Sequence, residues 1–97
     1  MEINDKTGDK TGNADPRFEP SFNIFVTSLG MQAMIFLGEI ANPVNNETKV
    51  ELERARYMIE TIAMLKDKTK NNLSAEEQKL IDDVLYGLRL KYAEKSK

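Results

Sequence analysis

The residues that most often carry acid–base, nucleophilic and metal chemistry are missing from this sequence of 97 residues, which has no cysteine, no histidine and no tryptophan. Those zeros exclude disulfides, thiol nucleophiles, Cys/His zinc sites and imidazole bases. Any catalysis would fall to Asp, Glu, Lys, Tyr, Ser or Thr. Asp82-Asp83 looks like a paired carboxylate, but neighbours on a helix point about 100° apart and these two belong to a solvated face. The Glu-x-x-His of helical metal bundles is absent, as are an EF-hand loop and a Ser-x-x-Lys that would activate a serine. Lys6-Thr7-Gly8 recurs as Lys10-Thr11-Gly12 without the spacing of a phosphate loop. Lys66-Asp67-Lys68-Thr69-Lys70 is a small basic cluster, read as a solvated helix end. Asn46-Glu47-Thr48 and Asn72-Leu73-Ser74 match a glycosylation sequon but are read as cap and turn residues. No catalytic, cofactor-binding or metal-ligating residue is assigned, and no cofactor is expected.

The balance of charge narrows the partners. Sixteen acids against 14 bases leave a net charge of −2, and the signs are mixed along the chain. A dedicated nucleic-acid binder carries a basic face, so no nucleic-acid partner is expected.

The elements that would position any site are helical. Residues 1–20 read as a disordered polar tail, because their apolar residues are only Met1, Ile3, Ala14 and Phe18 and cannot offset the entropy of ordering. Residues 21–95 read as one all-α domain of three helices, at about 21–38, 48–69 and 74–94. Ser21 is the expected N-cap of the first helix and Gly38 its stop, with a turn at Asn42-Pro43. Thr48-x-x-Glu51 fits a capping box for the second helix, and Ser74-x-x-Glu77 for the third. In the second, Leu52, Ala55, Ile59, Ile62 and Ala63 make the core stripe, widened by Met58 and Leu65. In the third, Leu80, Ile81, Val84, Leu85, Leu88 and Tyr92 do so. No alternation of the kind a strand needs occurs anywhere.

The first helix has more apolar surface than a three-helix bundle uses. From Pro20 to Gly38 no residue is charged. Phe22, Phe25, Val26, Leu29, Ala33, Phe36 and Leu37 fall within one arc of about 120° and form its expected core stripe. Ile24, Met31 and Ile35 gather on the opposite side, and Tyr86 and Leu90 form a patch outside the core stripe of the third helix. Leaving such side chains in water forfeits on the order of 1.5–3 kcal/mol each. The expected architecture is therefore a three-helix, hairpin-like bundle completed by self-association, as a two-fold dimer in its commonest form. Its expected surface is Ile24, Met31, Ile35, Tyr86 and Leu90. Phe22 to Leu37 spans about 24 Å as a helix, short of a ~30 Å hydrocarbon core, so membrane insertion is not expected.

From Phe22 to Tyr92 the chain resembles an uncharacterised bacterial family, domain of unknown function 1844. The carrying residues are Phe25-Val26-Thr27-Ser28-Leu29-Gly30, then Leu37-Gly38-Glu39-Ile40 with Asn42-Pro43. Met64-Leu65-Lys66-x-Lys68-Thr69-x-x-Asn72-Leu73-Ser74-x-Glu76-Glu77 follows, and then Leu85-Tyr86-x-Leu88-Arg89-x-x-Tyr92. The resemblance implies a small cytoplasmic bacterial protein and no particular activity. Two positions depart from the family pattern: Phe36 stands where histidine is common, and Gly87 where an acidic residue is expected. The chain thus reads as a non-enzymatic helical interaction module that self-associates through its first helix. Its alternatives are a peripheral membrane protein using the same helix, or a ligand-binding protein or enzyme working through Glu39, Lys68 and Arg89. Another protein is a further possible partner.

Overall fold

A computed structural model describes residues 19–97. It holds three helices, α1 (Phe22–Phe36), α2 (Leu52–Lys68) and α3 (Ala75–Lys95). Each packs against the other two, and among the described residues there is no strand. The all-α, three-helix reading holds. The polar segment read as disordered lies, as far as residue 18, outside the described residues.

Local chemistry sets most of the boundaries. Ser21 Oγ accepts from the Ile24 N–H at 3.2 Å and opens α1. At its end Gly38 takes φ +78°, while the Gly38 N–H reaches Ile35 O and the Glu39 N–H reaches Met34 O, both at 3.0 Å. This pair of bonds satisfies carbonyls left over at a helix C-terminus and needs a left-handed residue between them. Ser74 and Glu77 form the expected reciprocal cap of α3, with bonds of 3.1 and 2.9 Å.

The start of α2 departs from the expectation. The helix begins at Leu52 with Glu51 at its cap, not at Thr48. Leu37 and Val50 form an antiparallel bridge, and the Glu51 N–H donates to Phe36 O at 2.6 Å. That pairing holds residue 50 extended, so helical geometry cannot begin until the chain has left it. Asn42 folds the connector, accepting the Val44 N–H on Oδ1 at 2.9 Å and the Asn46 N–H on its carbonyl at 2.6 Å.

The core consists of Val26, Ala33 and Leu37 from α1 and its end, Ala55, Met58, Ile59 and Ile62 from α2, and Ile81, Leu85 and Leu88 from α3. The buried arc of α1 differs from the expected stripe. Phe25, expected inside, is 51% exposed, while Gly30, outside the expected stripe, is buried. A Cβ at Gly30 would lie 3.2 Å from Val84 Cγ1. α3 therefore closes on α1 where α1 has no side chain, and that rotates Phe25 outward.

Candidate interaction surface

The fold leaves one side of α1 uncovered. Ile24 and Met31 are each 49% exposed, and no residue of α1 carries a charge to hydrate that face. Ile35 is half-buried, beside a small cleft of about 190 Å³ that it shares with Asn42, Asn45, Glu47, Lys49 and Glu51 of the connector. On α3, Leu90 is 49% and Tyr86 69% exposed. Four of the five residues read as the association surface thus point to solvent, and the connector shields the fifth.

Between α1 and α3 runs a shallow, mostly apolar groove of about 230 Å³, lined by Met31, Met34, Val84, Gly87 and Leu88 with Thr27 at its edge. Gly87 is exposed, and a Cβ placed there would meet nothing within 4 Å. The fold itself has no use for this glycine, although glycine inside a helix costs about 1 kcal/mol relative to alanine. Of the expected surface residues only Met31 lines the groove. Met34 was not foreseen as part of it. A glycine facing outward in the middle of a capped helix is the signal that points there.

Charges pin the two helices rather than line a reaction site. α1 and α3 run in the same direction, and Glu39, just past the end of α1, reaches the end of α3. Its Oε2 lies 3.1 Å from Lys95 Nζ and its Oε1 3.7 Å from Lys91 Nζ. The side chain is only 24% exposed. The Lys95 hydrogen bond is the main cause that holds the Glu39 pKa below its ordinary value of 4.5. Asp82 and Asp83 diverge as helical neighbours must. Asp82 Oδ1 bridges to α2 through Lys66 Nζ at 2.7 Å and also accepts from Gln78 at 3.1 Å. The Lys66 bond is the first cause of its lowered pKa. Asp83 pairs with Lys79 of its own helix at 2.8 Å.

Glu39, Lys68 and Arg89 are not brought together. Glu39 is committed to Lys91 and Lys95, whereas Arg89 borders a cleft of about 310 Å³ between α2 and α3, with Arg56, Ile59, Glu60 and Tyr92. Lys68 lies eight residues beyond Glu60 on α2, about 12 Å of helix rise away. In the cleft Arg56 Nε is bound to Glu60 Oε2 at 3.0 Å, and that bond raises the pKa of the guanidinium. The cleft carries opposed charges and no nucleophile with a base beside it. Phe36 packs against the core with the Arg54 guanidinium 5.9 Å from its ring centre. Its ring has a packing role here. Among the described residues no group of three acidic side chains could hold a metal ion, and no helix is long and apolar enough to cross a membrane.

A family model described as "Domain of unknown function (DUF1844)" matches residues 19–94. No curated protein and no solved structure matches the chain.

Proposed function

We propose that this chain, which belongs to the domain of unknown function DUF1844 family, is a small non-enzymatic helical module that self-associates through α1, aided by the Tyr86/Leu90 side of α3. The observation that carries the reading is the uncovered, charge-free face of α1, where Ile24 and Met31 stay half-exposed after the bundle has closed. Two other helices are too few to surround α1. A second copy supplies the missing cover in the commonest form of closed symmetry, a two-fold dimer. Nothing in the charge arrangement opposes it, since the ion pairs of α2 and α3 are satisfied within the chain.

The experiment is a comparison of wild type with Met31→Glu by light scattering after size exclusion, across a wide concentration range and without detergent. Met31 is half-exposed, so the glutamate is tolerated in the folded monomer. A wild-type dimer that the substitution dissociates supports the reading, and a dimer that ignores it removes α1 from the interface. A peripheral membrane role draws on the same exposed Ile24, Phe25 and Met31. Interfacial helices combine such a face with a strongly charged one, and α1 has no charge at all. Recovery of the protein with sedimenting liposomes would favour that alternative.

A further inference from the structure

We infer that the second copy docks through α3, antiparallel to its counterpart, with the two helices crossing at Gly87. This rests on the self-association just proposed and specifies its geometry. Gly87 is exposed in mid-helix, has open space where its Cβ would be, and floors the groove beside Met31 and Val84. Residues equally spaced on either side of it are complementary. Asp83 lies one turn before and Lys91 one turn after, and Val84 and Leu90 lie three residues to each side. All four fall within about 60° of Gly87 around the helix axis.

In an antiparallel pair crossing at Gly87, Asp83 of each copy therefore meets Lys91 of the other. Leu90 of each, half-exposed in the single chain, lies on the same flank of the crossing as Leu90 of the other and meets it there. A parallel pair would set Asp83 against Asp83 and Lys91 against Lys91, and like charges placed opposite each other select against that arrangement. Within one chain Asp83 is paired with Lys79 at 2.8 Å, and Lys91 is shared between Glu39 at 3.7 Å and Glu94 at 3.8 Å. Surface pairs of this kind contribute little to stability, so they can exchange for a pair across the interface. A glycine at the crossing lets two helix backbones approach closely. Tyr86 lies about 100° from Gly87 around α3, on the Leu90 flank, and sits at the rim of the contact.

The test is a charge exchange on the full chain, read as the dissociation constant from sedimentation equilibrium, with helicity by circular dichroism as the folding control. Asp83→Lys and Lys91→Asp each put like charges at both symmetry-related contacts and weaken association roughly tenfold or more. The double variant Asp83→Lys/Lys91→Asp restores the pairs across the interface and returns to within about threefold of wild type. The two positions are two turns apart on one helix, so no contact within a single chain explains such a rescue. Gly87→Leu, which the single chain accommodates, blocks the crossing and weakens association as well. If wild type associates and these variants behave like it, or the double variant is not rescued, the crossing is wrong while self-association stands. A wild type that stays monomeric at every concentration overturns both.

Discussion

Gly38→Ala tests the junction that sets the path from α1 into α2. The backbone at Gly38 has φ +78°, and an added Cβ would sit 2.8 Å from Val50 Cγ2. The left-handed conformation costs an L-residue about 1–2 kcal/mol. Val50 is 48% exposed, so its side chain can swing aside and the contact adds only about 1 kcal/mol, the low end for overpacking. The expected loss is the sum, about 2–3 kcal/mol, a sizeable part of the roughly 4–12 kcal/mol that holds a domain of this size. Urea unfolding followed by far-ultraviolet circular dichroism, at one low protein concentration, reads it as a midpoint lowered by about 1.3–2 M for an m-value near 1.5 kcal/mol/M. The two causes separate in a cycle with Val50→Ala. That change removes the clash but leaves the strained φ, so Gly38→Ala costs only about 1–2 kcal/mol in its background. A loss below about 0.5 kcal/mol, or the same loss in both backgrounds, would mean that Gly38 is neither strained nor in contact with Val50 in the way the geometry requires.

Ile62→Ala, at a fully buried position of α2, should cost about 2–5 kcal/mol in the same assay, because a cavity replaces the packed side chain. Ser74→Ala removes the Glu77 N–H acceptor and should cost about 1 kcal/mol, with amide exchange in the first turn of α3 reporting the fraying. Glu39 and Asp82 have folded pKa values below their ordinary 4.5 and 3.8. Their contribution to stability is full above those ordinary values and is lost as pH falls through the lowered folded ones. Stability should therefore decline with acidification below about pH 4.5, and Glu39→Gln should flatten part of that decline; an unchanged slope would remove the Lys95 latch from the account.

Much of this architecture was legible because it depends on residues close in sequence. The Ser74/Glu77 cap, the Ser21 cap and the Gly38 stop are satisfied by bonds spanning a few residues. The core stripes of α2 and α3 follow from apolar spacing alone. What escaped is governed by long-range pairing. Thr48-x-x-Glu51 is a sound cap by its own chemistry, but the Leu37–Val50 bridge keeps that stretch extended. Phe25 belongs to the most apolar arc of α1, yet the close approach of α3 at Gly30 turns it outward. Ile35 looked as free as Ile24 until the connector folded beside it. That Ile24, Met31, Tyr86 and Leu90 stay outside the core could be read from the pattern, whereas the groove at Gly87 needed α1 and α3 to be set side by side.

If a second copy of the chain closes the uncovered face of α1, light scattering behind size exclusion, on wild type over a wide concentration range without detergent, gives a mass twice that of the chain, with dissociation on dilution. A mass of one chain at every concentration would show that the face is not closed this way.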